Sequence, residues 1–269
     1  MHEQNNTRRT MHTPGASISD VTLPDLLGDF DRWALFLDID GTLIDLAPTP
    51  DAIVVPENLP ADLEAVSNKL RGALALVTGR ALPYADKLFS PRQFPIAGLH
   101  GAEQRMPDGT IERVTVTPQF EALKKQIAER TAAWDGVLIE DKGAAVGAHY
   151  RQAPERQAEL DALMQDAARQ AGEEFALQRG KMVIEIRPAR ASKGEALRAF
   201  LETPPFAGRL PIAIGDDLTD EAMFKAANAL GGRSLRIGGP VLPDGTDSQA
   251  TMFLPSAADF RAILTELAR

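Results

Sequence analysis

The run Ala34-Leu-Phe-Leu-Asp-Ile-Asp-Gly-Thr-Leu43 constrains this chain more than any other stretch. Four apolar residues without polar alternation read as a strand buried on both faces, the signature of a parallel sheet. Side chains two apart on an extended chain point the same way, so Asp38 and Asp40 are expected to face one side together. That position is the carboxyl end of a strand, where open α/β sheets bind ligands. Gly41 permits a sharp turn and brings backbone N–H groups close to the ligand. Two carboxylates this close repel unless a cation or a shared proton intervenes. An Asp-Gly pair alone is ordinary turn chemistry, whereas the whole DxDGT string after an apolar strand is specific.

Three further segments repeat the pattern. Ala73–Val77 runs into Thr78-Gly79-Arg80, Phe94–Leu99 into His100-Gly101-Ala102-Glu103, and Leu210–Ile214 into Gly215-Asp216-Asp217. Helical spacing over Pro60–Leu70 separates the first of these from the opening strand. Strands alternating with helices predict a doubly wound, Rossmann-like parallel sheet whose polar strand ends gather on one edge. Between them the pattern changes. Pro118–Trp134 and Pro154–Ala171 are helical, while Val137–Arg151 and Phe175–Arg187 each hold two extended stretches about a glycine. Such hairpins predict an antiparallel sheet with one covered face. The expected organisation is a tail over 1–22, a short helix near Leu23–Phe30, a core over 23–106 plus 191–269, and a smaller α/β cap with an antiparallel sheet inserted over 107–190.

Length and composition fit a globular chain: 269 residues, 44% apolar and 25% charged. A formal charge of −9 argues against sequence-independent binding to nucleic acid or anionic membrane. The absence of cysteine removes disulfides and thiolate chemistry. No secretory h-region opens the sequence and no run reaches the roughly 18 apolar residues of a spanning helix. The expectation is a cytoplasmic monomer acting on a small molecule.

The remaining chemistry lies in two clusters. Ser192-Lys193-Gly194-Glu195 resembles a capping box that places Lys193 in the first turn of a helix, where an anion is favoured. Gly215–Glu221 packs four acids into six residues after a buried strand. Carboxylates gathered there near Asp38 and Asp40 make a hard oxygen site of the kind Mg²⁺ prefers. Asp216, first off the strand, is the stronger ligand, and Asp220 and Glu221 are accounted for by the dipole of the following helix. Within the insertion, Lys181, Glu185 and Arg187 share one strand face, as do Glu140 and Lys142, and His149 and Arg151. From spacing alone this is equally a solvated face or a surface for a hydroxyl-rich ligand.

Taken in order, Asp38-x-Asp40-Gly-Thr, Val-Thr78-Gly-Arg80, Lys193 and Gly-Asp216-Asp217 resemble the four motifs of haloacid dehalogenase-type phosphatases. Leu99-His-Gly-Ala-Glu103, Glu140-x-Lys142, His149-Tyr-Arg151, Gly180-Lys181-x-x-x-Glu185 and Gly215–Glu221 resemble the bacterial trehalose-6-phosphate phosphatases, over about residues 30–265. The resemblance implies that Asp38 is the nucleophile, forming an aspartyl-phosphate, and that Asp40 is the general acid and base. It implies that Thr78 and Lys193 bind phosphate oxygens, and that Mg²⁺ is held by Asp38, Asp40 through its backbone carbonyl, Asp216 and, through water, Asp217. It further implies a substrate site built from Arg80, His100, Gly101, Glu103, Glu140, Lys142, Arg151, Lys181 and Glu185, all but Arg80 on the sugar, and the last step of trehalose biosynthesis as the role. A sucrose- or glucosylglycerate-type phosphatase, a phosphomannomutase-like enzyme and a non-catalytic sugar-phosphate sensor are the alternatives.

Overall fold

The structure, a computed structural model, describes residues 28–47, 53–180, 182–189 and 191–269. The expected tail over 1–22 lies outside them, as does most of the expected lead-in helix, of which residues 28–30 form bend and turn.

All four predicted core strands form. β1 (Trp33–Leu37), β2 (Leu74–Val77), β3 (Ile96–Gly98) and β10 (Leu210–Gly215) lie side by side and parallel, in the order β10-β1-β2-β3. Residues 34–37 of β1 are wholly buried, which explains a run without alternation: helices cover both faces of a central parallel strand. The sheet continues through β11 (Arg233–Ile237) and β12 (Met252–Leu254) on one side. On the other it continues through β4 (Glu103–Arg105) and β5 (Ile111–Arg113), both antiparallel, making eight strands. The sheet therefore runs past residue 107, where the insertion was expected to begin, because residues 106–110 are a hairpin turn that returns β5 against β4.

Helices α1 (Leu59–Lys69) and α2 (Leu82–Phe89) follow β1 and β2, and both carry proline in the first turn, where no N–H is needed. A second segment, α3 (Pro118–Thr131), β6 (Leu138–Asp141), β7 (Val146–His149), α4 (Gln157–Ala171), β8 (Phe175–Gly180) and β9 (Val183–Pro188), builds its own antiparallel sheet in the order β6-β7-β9-β8. Val146, Ala148, Ile184 and Ile186 project from one face into a separate apolar cluster with Phe120, Leu160 and Met164 of α3 and α4. Phe120 stacks on Phe175 at 4.0 Å between ring centroids. The chain then re-enters the core at α5 (Lys193–Leu201), and α6 (Glu221–Ala229) and α7 (Ala257–Ala268) complete it. Contacts pair α5 with α6 and α1 with α7. No helix among the described residues is long and apolar enough to cross a membrane.

Phe36, Phe200 and Phe206 form a fully buried triangle, with centroids 5.3–6.2 Å apart, that joins the central strand to α5 and the turn before β10. Replacing Phe36 with alanine should lower unfolding free energy by about 3–5 kcal/mol, read from urea denaturation. A loss below about 1 kcal/mol would show that this triangle is not a principal packing element.

Candidate active site

Strand β1 ends at Leu37, but the Asp38 N–H still bonds the Ile214 carbonyl at 2.9 Å, so the sheet ladder fixes the backbone of Asp38. Its side chain is buried and accepts from Lys193 Nζ at 2.6 Å. Lys193 is the first residue of α5, and Ser192 Oγ caps that helix by accepting the Glu195 N–H at 3.1 Å. The same Nζ donates to Asp220 Oδ1 at 2.6 Å. Burial opposes charge on Lys193, yet Asp220 and Asp38 outweigh it and raise its pKa further above the ordinary lysine range. Burial raises the Asp38 pKa well above the usual carboxylate range; Lys193 counters this, and Asp220 and Asp216 add to it.

The sequence reading assigned Asp220 only to a helix dipole, and the structure places it at the centre. It is completely buried, and its Oδ2 accepts the N–H groups of Asp216 and Asp217 at 3.0 Å, clamping the strand end. A signal was available: a carboxylate four residues after Asp216, beside Gly215, where a Cβ would lie 2.2 Å from Asp220 Cγ. Asp38, Asp216 and Asp220 offer oxygens that all lie within 4.8 Å of one another. Asp216 Oδ1 is buried with no hydrogen-bond partner among the described residues. Burial, then Asp220 and Asp217, push its pKa up to about 7. Crowded, protonation-prone carboxylates with an orphaned oxygen fit a divalent cation. Gly41 allows this approach, since it sits at φ +81° and a Cβ there would fall 2.1 Å from Asp216 Oδ2. Asp217 is exposed and accepts the Leu218 N–H at 2.7 Å, capping the turn over residues 218–220.

Asp40 takes a different partner from Asp38. Arg80 Nε donates to Asp40 Oδ2 at 2.6 Å and Nη2 to Oδ1 at 2.5 Å, a bidentate pair with the guanidinium 4.7 Å from the Tyr84 ring centroid. The two aspartates therefore do not act as a simple alternating pair, because the strand stops before them and residues 41–43 turn. Asp40 still contributes to raising the Asp216 pKa, so it belongs to the same charge cluster. Thr78, wholly buried after β2, accepts the Arg80 N–H at 3.1 Å. His100 sits at φ +56° over Gly79, where a Cβ would come within 2.8 Å of the imidazole. Burial, then the charges of Lys193, Arg187 and Lys142, depress its pKa well below the ordinary value and keep the ring neutral. Gly101 packs against Ser192 and Ala196 at the start of α5. Glu103, expected beside the sugar, is buried, accepts the Leu82 N–H at 2.6 Å at the start of α2, and pairs with Arg113.

The second face of the antiparallel sheet carries a polar row. Register places Glu140, Gly147, Glu185 and Gln178 side by side across the four strands. Lys142 donates to Glu185 at 2.7 Å, and His149 Nε2 lies 2.9 Å from Glu140 Oε2. The His149 contact, followed by opposing burial and then Lys142, lowers the Glu140 pKa. Arg151 is exposed in the turn after β7, and Lys181 lies outside the described residues. A cavity of about 270 Å³ separates this segment from the core; Leu177, Gln178 and Arg187 line it from one side, and His100, Ser192, Lys193, Leu218 and Thr219 from the other. Gln178 and Arg187, which the sequence does not single out as site residues, thus line the same cavity as His100 and Lys193.

An aspartate at the carboxyl edge of a parallel sheet, steadied by a buried lysine and backed by carboxylates suited to a cation, with a smaller sheet beyond a cavity, is the arrangement the haloacid dehalogenase-type resemblance implies. A HAD-superfamily phosphatase of Bacteroides thetaiotaomicron shares the fold with a TM-score of 0.61 at 18% identity. The sequence profile of the trehalose-phosphatases matches residues 36–255. A probable trehalose-phosphate phosphatase of Sinorhizobium fredii (strain NBRC 101917 / NGR234) is 60% identical over 253 residues, 94% of either chain. The trehalose-6-phosphate phosphatase of Escherichia coli (strain K12) is 44% identical over 210 residues, covering 77% of this chain and 78% of that one. The solved C-terminal domain of C. albicans trehalose-6-phosphate phosphatase superposes with a TM-score of 0.76 over 94% of this chain and 98% of that one; at 21% identity it shows the fold alone. This chain belongs to the trehalose-phosphatase family.

Because the folded chain holds a proton on Asp216 up to about pH 7, it binds more protons than the unfolded chain between the ordinary carboxylate pKa and 7. Stability in the presence of a chelator should therefore fall as pH rises through that window. Thermal melts from pH 4.5 to 7.5 in EDTA should show this decline, with a shallower one in Asp216→Asn. Identical slopes in both proteins would remove Asp216 as the source.

Proposed function

We propose that this protein hydrolyses trehalose 6-phosphate to trehalose and inorganic phosphate, with Mg²⁺ as its cation. The observation that carries the reading is the buried Asp38–Lys193–Asp220 triad on the core, whose Lys193 lines one cavity together with Gln178 and Arg187 of the smaller sheet. Asp38 attacks phosphorus, so that a bond to its carboxylate oxygen forms as the bond to the sugar oxygen breaks. Asp40, once it has left Arg80 and taken up a proton from solvent as substrate binds, gives that proton to the departing sugar oxygen and then takes one from the water that cleaves the aspartyl-phosphate. Lys193 and Thr78 receive the phosphoryl oxygens as charge builds on them. Asp38, the Asp40 carbonyl and Asp216 would hold Mg²⁺, with Asp217 reaching it through water; the ion supplies charge neutralisation that admits a dianionic substrate to an acidic site.

Glu140, Lys142, Arg151, Lys181 and Glu185, with His100 and Gly101 opposite, take the sugar hydroxyls. Their mixed donors and acceptors match a neutral polyol. Cap closure excludes bulk water from the reaction. The same reading takes the protein to work as a monomer in the cytoplasm.

Phosphate release from trehalose 6-phosphate, glucose 6-phosphate and sucrose 6-phosphate, with and without Mg²⁺, tests this directly. Metal-dependent turnover strongly favouring the first is expected, and equal turnover of all three would sink the sugar assignment. Asp38→Asn should abolish turnover in a folded protein. Glu185→Ala should cut trehalose 6-phosphate turnover while sparing a small aryl phosphate; parallel losses on both would remove Glu185 from the sugar site.

A further inference from the structure

The cations around the cavity between cap and core differ in what they already hold. Lys193 is engaged by Asp38 and Asp220, Arg80 by Asp40, and Lys142 by Glu185. Arg187, near the end of β9 before the chain returns to the core, is different. Its Nε donates to Gln178 Oε1, and its Nη1 to the Ala191 and Pro188 carbonyls, all neutral acceptors. Among the described residues no carboxylate lies within ion-pairing distance of it. Burial lowers its pKa below the ordinary guanidinium value, with only the field of Glu185 opposing. A half-buried cation without a counter-ion is costly in a folded protein unless an anion completes it. Arg187 lines the same cavity as Lys193 and His100, and its charge reaches His100. Lys193, across the cavity, is bonded to two of three clustered acids, Asp38, Asp216 and Asp220, against which a phosphate dianion must be drawn in.

We propose that Arg187 contacts substrate phosphate, its guanidinium binding non-bridging phosphoryl oxygens from the cap side of the cavity so that cap closure responds to the phosphate as well as to the sugar. This rests on reading the chain as a sugar-phosphate phosphatase. Guanidinium suits the role because its planar fork bonds two phosphate oxygens at once. The Ala191 bond gives the contact a mechanical meaning, since it ties the phosphate-binding side chain to the linker that leads into Ser192 and Lys193. An anion on Arg187 therefore acts on both the cap strand and the start of α5.

Calorimetric titration of inorganic phosphate into the Mg²⁺-loaded wild-type protein, Arg187→Gln and Arg187→Lys tests this without relying on turnover. Arg187→Gln should weaken phosphate roughly tenfold, which is about 1.4 kcal/mol, and Arg187→Lys should recover part of that loss by restoring the charge. Phosphate affinity unchanged in Arg187→Gln would overturn the proposal. So would Arg187→Lys binding no better than Arg187→Gln, which would leave Arg187 as a strut between Gln178 and the linker. Wild-type turnover of the three sugar phosphates is scored separately, so failure of the sugar assignment leaves the phosphate titration readable.

Discussion

One ammonium group holds this protein's active site together. Lys193 Nζ binds Asp38 and Asp220 at 2.6 Å each, joining residues 155 and 27 positions away in sequence. All three side chains are buried, so each charge depends on the others: removing one partner of a buried ion pair leaves an uncompensated charge, at a cost of about 3–5 kcal/mol. The arrangement is thus a constraint on the fold as much as a catalytic device. It requires β1, the turn after β10 and the start of α5 to meet at one point.

The triad also sets the electrostatic problem that the rest of the molecule must solve. Asp38 and Asp220 share one lysine and Asp40 is occupied by Arg80, yet Asp216 still crowds the first two, with oxygens of all three within 4.8 Å of one another. A cation relieves that crowding and makes the pocket acceptable to an anion. The cap answers from the other side. Its apolar face is spent on α3 and α4, and its other face carries a row of polar side chains, with Gln178 and Arg187 lining the cavity shared with the core. A separate hydrophobic cluster under each sheet lets these surfaces be built independently, and a small third cluster of Leu99, Ala102, Ala144 and Ala191 joins them beside the linker.

Much of this was legible in the chain. The four apolar runs ending in polar residues became four adjacent parallel strands, because a run without alternation has nowhere to go except between two layers of helices. The cap hairpins and the split between their two faces were equally readable, since strand alternation is local. β11 does not declare itself in the sequence, because Ser234 and Arg236 interrupt its apolar pattern; both are buried, Ser234 bonding Asn228 and Thr251, and Arg236 donating from Nη1 to the Gly239 carbonyl. β4, three residues long, is too short and too polar to declare itself. Glu103 was read as a sugar ligand on resemblance, whereas its carboxylate lies at the start of α2, which has no side-chain cap of its own.

The sequence by itself determined which chemistry this protein carries. Asp38, Asp40, Lys193 and the acids after β10 follow recognisable strand and helix boundaries, and boundary signals are local properties of the backbone. Only the tertiary structure decided which carboxylate meets which cation. Asp38 pairs with Lys193, Asp40 with Arg80, Glu185 with Lys142, and Arg187 with no acid among the described residues. Those choices depend on burial and on distances of a few ångströms between segments far apart in sequence, and charge interactions inside a protein are set by that geometry rather than by residue order.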